Sequence, residues 1–97
     1  MRRLTDLLHV GFGNFVVNER ITGVRRPDSA PIQRLVRKAR AEVGKRVIDV
    51  TTGRRTRAVL FMDDGSIILI AITPEAIAGR AAAARSPEPR RARASGD

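Results

Sequence analysis

The sequence predicts an α+β fold, a small curved antiparallel β-sheet with one amphipathic helix packed on it. Three observations support this prediction. Short β-prone segments are separated by glycine-rich turns, one helix-period apolar pattern lies between them, and the last β-prone segment is apolar on both faces. A chain of 97 residues forms one domain with a modest core, so self-association is a natural way to bury more apolar surface.

The first β-prone segments precede the helix. Residues 7–10 and 15–17 are predicted strands, and Gly-Phe-Gly-Asn stands between them at positions 11–14. Two glycines so close together predict a bulge, a turn with positive φ or a close approach of another backbone. Residues 20–26 form a third predicted strand, which ends in a turn at Pro27.

The helix is predicted to begin after Ser29, its N-cap, and to end at Gly44, a residue type that suits the position after a helix C-terminus. Residues at helical spacing form one apolar face: Ile32, Leu35, Val36, Ala39 and Val43. Basic residues lie on the other side and are interpreted as a solvated face: Arg34, Arg37 and Lys38.

Three further strands are predicted to form a meander over residues 47–51, 56–62 and 66–72. A corner at Gly53-Arg54-Arg55 joins the first two, and Asp63-Asp64-Gly65 is a strong hairpin signal between the second and third. The last strand is apolar on both faces, so it must be central or covered on both sides.

The C-terminal part is predicted to contain a short helix capped by Thr73, followed by a tail. We divide the chain into a folded domain, residues 1–79, and a basic tail rich in Ala, Arg and Pro, residues 80–97. The tail has no large apolar residue to offset its ordering entropy, so it is predicted to be disordered, although residues 81–85 can extend the helix.

The charge predicts a polyanionic partner. Lys and Arg number 19 against 10 Asp and Glu, which gives a net charge of +9, with +6 in the domain and +3 in the tail. Arginine supplies 17 of the basic residues, and its planar fork suits phosphates and guanine edges. Nucleic acid is therefore favoured over an anionic membrane surface. No apolar run reaches the length of a membrane span or a signal-peptide core, which predicts a cytoplasmic protein.

Catalytic patterns are not found. Cysteine is absent, and the only histidine, His9, lies in a predicted strand, where a structural role is the usual one. No Ser-His-Asp arrangement, metal-ligand spacing or phosphate loop is recognisable. The sequence thus predicts no enzyme, no cofactor, no metal and no small-molecule substrate.

The densest charge of the domain is the group Arg54, Arg55 and Arg57. Arginines at a strand corner can enter a groove or straddle phosphates. The alternative is a solvated turn whose charges keep a sheet edge from pairing. The three aromatic residues are phenylalanines, of which Phe15 and Phe61 fit core positions, and this scarcity favours duplex over single-strand binding.

Several motifs resemble the RemA family of small bacterial regulators of extracellular-matrix and biofilm genes. The resemblance runs from about residue 7 to residue 78 and rests on four motifs in the same order and spacing. They are Gly-Phe-Gly-Asn at 11–14, Asn-Glu-Arg at 18–20, Pro-Asp-Ser-Ala-Pro-Ile at 27–32 and Gly-Arg-Arg-Thr-Arg-Ala-Val at 53–59.

The resemblance implies a nucleoid-associated transcriptional regulator that binds duplex DNA and assembles into rings built from dimers. It implies that Arg20, Arg54 and Arg55 contact DNA, and the sequence pattern adds Arg57. The chain departs from the family at two places: Thr52 stands where the family usually has tyrosine, and Arg26 adds a basic residue before the helix. The family's fold and arginines are expected to carry over to this chain, but its target DNA sequence is not. Two alternatives to duplex-DNA binding remain, a small RNA- or ribosome-associated protein and a protein-interaction scaffold.

Overall fold

The computed structural model describes residues 7–85 and confirms the predicted α+β class. A single-turn 3₁₀ helix, Asn18–Arg20, connects the second strand to the third. The strands and α-helices of this part of the chain are β1 (Leu7–Gly11), β2 (Asn14–Val17), β3 (Ile21–Arg25), α1 (Ala30–Ala41), β4 (Val47–Asp49), β5 (Ala58–Met62), β6 (Ile67–Ile70) and α2 (Pro74–Arg85).

The strands form two sheets. β1 and β2 make an antiparallel hairpin, and the other four strands make a sheet of order β3-β5-β6-β4 in which β4 runs parallel to β6 and the remaining pairs are antiparallel. The predicted meander is therefore wrong, because β6 lies between β4 and β5. β6 is the most apolar strand, and the central position lets both of its edges pair.

Helices and the hairpin cover the two faces of the four-stranded sheet. Along β6, Ile68 and Ile70 point into the core beneath β1 and α2, whereas Ile67 and Leu69 point to the side covered by α1. This alternation is the period of two that a strand requires. It confirms the prediction that this segment is central and covered on both sides.

The larger core cluster lies between the sheet, the hairpin and α2. Leu60 of β5 and Ile70 of β6 are fully buried at its centre, each with 0% of its surface exposed. Their buried neighbours come from four different elements: Leu8, Val10, Ala58, Ile68 and Ile77.

Helix α1 begins as predicted and ends earlier. The Ser29 hydroxyl accepts a hydrogen bond from the Ile32 amide at 3.3 Å, which confirms the N-cap. The helix ends at Ala41, and Gly44, with φ of 89°, belongs to the turn that follows. The predicted apolar face is thus only partly used. Ala39 is buried and two neighbours pack on the sheet, but Leu35 and Val43 are exposed.

Helix α2 is capped as predicted, since the Thr73 hydroxyl accepts from the Ala76 amide at 3.2 Å. It continues to Arg85 and so crosses the predicted domain boundary after residue 79. The guanidinium of Arg80 donates to the His9 carbonyl at 3.0 Å and ties α2 to the hairpin. The remainder of the predicted disordered tail lies outside the described residues.

Candidate nucleic-acid interface

One loop, residues 50–57, carries three of the four predicted DNA-binding arginines. The Val50 amide donates to the Leu69 carbonyl at 3.0 Å and the Arg57 amide donates to the Ile70 carbonyl at 2.8 Å, so both ends of the loop are tied to β6. The loop crosses the C-terminal end of β6 to join β4 to β5. The predicted corner between adjacent strands is therefore wrong, and Arg57 precedes β5 instead of lying within it.

A buried threonine anchors the beginning of this loop. Thr51 is 2% exposed, and its hydroxyl and amide both donate to Oδ1 of Asp49, at 2.6 and 2.9 Å. These two hydrogen bonds lower the pKa of Asp49, and the charge of Arg40 lowers it further by a smaller amount. Among the described residues, the Asp49 carboxylate is hydrogen-bonded to Thr51 and forms no ion pair.

Acid should loosen this anchor. Because the folded-state pKa of Asp49 lies below its ordinary value of 3.8, its contribution to stability is present above pH 3.8 and is lost as the pH falls through the lower, folded value. When the pH is lowered from 7 to below about 4, we expect the free energy of unfolding to fall less in the Asp49→Asn variant than in the unmodified protein. Urea unfolding midpoints at the two pH values measure this difference. An equal loss in both proteins would contradict the prediction.

The turn after Thr51 has an unusual backbone. The Arg54 amide donates to the Thr51 carbonyl at 3.0 Å, and the two central residues, Thr52 and Gly53, have φ of 55° and 80°. Positive φ at both central positions is characteristic of a type I′ turn. Thr52 is β-branched, and such residues rarely adopt this conformation. Arg54 and Arg55, which follow this turn, are both exposed.

The arginines of the loop are exposed and electrostatically unbalanced. Within residues 7–83, Arg54, Arg55 and Arg57 have no acidic side chain paired with them. Cζ of Arg54 lies over the ring of Phe12, 5.4 Å from its centroid. This distance is within the range of a cation–π contact. The loop therefore presents three guanidinium groups whose hydrogen-bond donors are available to an anion.

Arg20 lies at the opposite end of the sheet. The Asp63 amide donates to the Arg20 carbonyl at 2.8 Å, and the Arg20 guanidinium forms an exposed ion pair with the Asp63 carboxylate at 3.4 Å. The whole of β5 lies between Asp63 and Arg57, which are six residues apart, roughly 20 Å at about 3.3 Å per residue. The structure thus brings Arg54, Arg55 and Arg57 together in one loop but does not bring Arg20 to them within one chain.

Sequence reasoning missed the exposed phenylalanines of the hairpin. Phe15 is 58% exposed, so its predicted core position is wrong, whereas Phe61 is partly buried against the cluster beneath α1, as predicted. The Phe15 ring lies 5.0 Å from the His9 ring on the outer face of the hairpin. The sequence did contain a signal for this exposure. Leu8 and Val10 are apolar, so His9 between them points to the opposite, outer face of β1. Phe15 is the cross-strand partner of His9 and therefore points outward with it.

His9 itself has a structural contact. Its Nε2 accepts a hydrogen bond from the Gly13 amide at 3.3 Å across the hairpin tip.

In the part of the chain that the structure describes, no three potential metal-ligating side chains cluster together. Over the same residues, neither helix is long and apolar enough to cross a bilayer.

These features define a small α+β domain with a basic crossover loop at one end of its sheet. A family model described as RemA-like, extracellular matrix regulatory protein A-like, matches residues 7–81. The chain therefore belongs to the RemA-like family, which confirms the resemblance seen in its motifs.

Relatives from distant bacteria support this assignment. A protein of Synechococcus elongatus is 57% identical over 74 residues, which cover 76% of this chain and 83% of the relative. One from Dictyoglomus turgidum is 50% identical over 74 residues, covering 76% and 85%. One from Dehalococcoides mccartyi is 42% identical over 80 residues, covering 82% and 81%. All three are provisionally named regulatory proteins.

Proposed function

We propose that this protein is a transcriptional regulator that binds duplex DNA through exposed arginines. The carrying observation is the crossover loop, in which Arg54, Arg55 and Arg57 stand within four residues and have no acidic partner in the described chain. Membership of the RemA-like family and the names of its relatives support the regulatory part of the proposal. Control of extracellular-matrix and biofilm genes at the nucleoid belongs to the same proposal.

The chemistry of the loop fits a nucleic-acid backbone. Three guanidinium groups at close spacing repel one another, and phosphate oxygens both relieve that repulsion and accept bidentate hydrogen bonds. Arg20 is a second cationic point roughly 20 Å away along the sheet. That distance is far greater than the spacing of neighbouring phosphates, so in this proposal Arg20 and the loop contact separate parts of the DNA backbone.

Self-association is part of the proposal. Large apolar side chains remain exposed on the hairpin, among them Leu7 and Phe15. A ring of dimers, as the family resemblance implies, repeats each arginine several times. Contacts that are weak in one chain then act together through their effective concentration.

The exposed phenylalanines give the RNA alternative a specific argument. Phe12 and Phe15 are 48% and 58% exposed, and exposed aromatic rings are the surfaces on which unpaired bases stack. Competition between duplex DNA and structured RNA at one salt concentration separates the two functions. We expect duplex DNA to be preferred, and a tenfold preference for RNA would favour the alternative.

A salt-graded titration of duplex DNA, with the mass of the protein oligomer measured by light scattering, tests the proposal. If four arginines per chain each neutralise one phosphate, the logarithm of the binding constant should fall with the logarithm of salt concentration by about 3.6 per chain. No detectable affinity near 0.15 M salt, with intact oligomers, would contradict DNA binding and favour a protein-interaction scaffold.

Removing the carboxylate beside Arg20 should strengthen DNA binding. Asp63 pairs with Arg20 in the free protein and repels phosphate, so we expect Asp63→Asn to raise duplex affinity about two- to threefold, in keeping with the small free energy of exposed ion pairs. Asp64→Asn is the matched control, because the Asp64 carboxylate accepts from the Ser66 amide instead of an arginine. An equal gain in both variants would show an effect of net charge alone.

A further inference from the structure

The tip of the β1–β2 hairpin carries a residue that its turn does not favour. Gly11 pairs with Asn14, which leaves a two-residue loop of Phe12 and Gly13 with φ of 54° and 78°. Two-residue loops with positive φ at both positions strongly prefer Asn-Gly, Asp-Gly or Gly-Gly. A phenylalanine at the first position is an observed backbone outlier, which points to a functional reason for the ring.

The turn is held without the help of the Phe12 ring. The Asn14 side-chain amide donates to the carbonyls of Gly11 and Phe12, at 3.0 and 3.2 Å. Nε2 of His9 accepts from the Gly13 amide at 3.3 Å. The ring is 48% exposed and belongs to neither core cluster, so hairpin folding does not account for it.

The contact of this ring is with Arg54, whose Cζ lies over it. When an arginine lies over an aromatic ring, the contact involves the positive charge and the flat face of the guanidinium. The hydrogen-bond donors at the edge of the guanidinium stay free for another partner. A side chain that is ordered before binding loses less conformational entropy when the ligand arrives. The ring contact is thus suited to preparing Arg54 for an anion.

Arg54 also follows a turn whose backbone conformation is unfavourable for the residue it contains, Thr52. Among the described residues, the non-glycine residues with positive φ are Phe12 and Thr52. They belong to two turns far apart in sequence that meet where Arg54 lies over Phe12. Backbone conformations of this kind persist when the surroundings hold them, and they concentrate at functional sites.

We propose that Phe12 is a positioning residue for DNA binding, which holds the Arg54 guanidinium in place for a phosphate of duplex DNA. The inference deepens the proposed function and rests on it, since it assigns a task to a residue beside the arginine loop. Phe12 acts through Arg54 and needs no contact of its own with the nucleic acid.

Phe12→Asn is the sharpest test, because it removes the ring and creates the Asn-Gly pair that this turn prefers. We expect thermal stability to be kept or raised while duplex affinity falls about two- to fivefold, the range of an exposed cation–π contact. Phe12→Tyr keeps the aromatic face and should bind duplex DNA as tightly as the unmodified protein. Phe12→Leu keeps apolar bulk without that face and should bind as weakly as Phe12→Asn. Unchanged affinity in Phe12→Asn would overturn the proposal.

Two further measurements separate positioning from direct contact. In an Arg54→Ala background, Phe12→Asn should cause no additional loss of affinity, and a persisting loss would overturn the proposal by showing that the ring contacts DNA itself. In the DNA-free protein, NMR of the Arg54 side chain should show ordering and a ring-current shift that Phe12→Asn abolishes and Phe12→Tyr keeps. If the unmodified protein did not bind duplex DNA, the proposed function would fail, while the NMR result would still report whether Phe12 orders Arg54.

Discussion

Replacement of Arg54 and Arg55 together by alanine is expected to abolish duplex binding near 0.15 M salt. Hydrogen bonds to charged groups contribute about 1.5–3 kcal/mol each, so the loss of two guanidinium contacts predicts a decrease in affinity of about 100-fold or more. The salt dependence should become shallower by about 1.8 in logarithmic slope per chain, which corresponds to two phosphates no longer neutralised. Filter binding or fluorescence anisotropy over a salt series measures both quantities.

The matched control is Arg34→Ala combined with Arg37→Ala. It removes the same charge from the exposed face of α1, where alanine favours the helix. We expect the control to lose only a small part of the affinity and both double variants to keep the oligomer mass of the unmodified protein. Equal losses in the two variants would show that net charge, and not the crossover loop, governs binding.

Truncation of Leu60 to alanine should have the largest effect on stability. Leu60 is fully buried on β5, within the cluster that joins the sheet to the hairpin and α2. Leucine-to-alanine changes at such sites cost about 2–5 kcal/mol, because the transfer free energy is lost and a cavity remains. A domain of this size has a total stability of about 5–10 kcal/mol, so we expect the melting temperature to fall by at least about 10 °C.

Leu35→Ala is the control for the same chemical change at an exposed site. Leu35 is 48% exposed on α1, so its truncation should change the free energy of unfolding by less than about 1 kcal/mol. Thermal unfolding followed by circular dichroism compares the two variants. A small effect of Leu60→Ala would contradict the central position assigned to β5, and a large effect of Leu35→Ala would place that face of α1 in contact with another chain.

Local sequence signals predicted most elements but not their arrangement. Ser29 and Thr73 cap the two helices as expected, because a cap depends on residues within one turn of it. The end of α1 was predicted at Gly44, yet the chain leaves the helix at Glu42. A glycine with positive φ suits either a helix end or the following turn, so the residue type alone does not distinguish them.

Part of the candidate site could also be predicted from the sequence. The density of arginine at positions 54–57 marks the loop in any reading of the chain, and the family motifs add Arg20. The contact of Phe12 with Arg54 could not be predicted from the sequence, because the two residues are 42 positions apart and no local pattern relates them. The ion pair of Arg20 with Asp63 is non-local for the same reason.

The sequence by itself determined the α+β class, the family, the basic character of the domain and the strand that had to be buried on both faces. These properties follow from composition, periodicity and motif order, which are local or summed over the chain. Only the tertiary structure decided that β4 pairs in parallel with β6, that the arginine loop crosses the end of β6, and that the Phe12 turn meets that loop. Strand order depends on which pairing buries the most apolar surface across distant segments, and that competition is settled only when the whole chain packs.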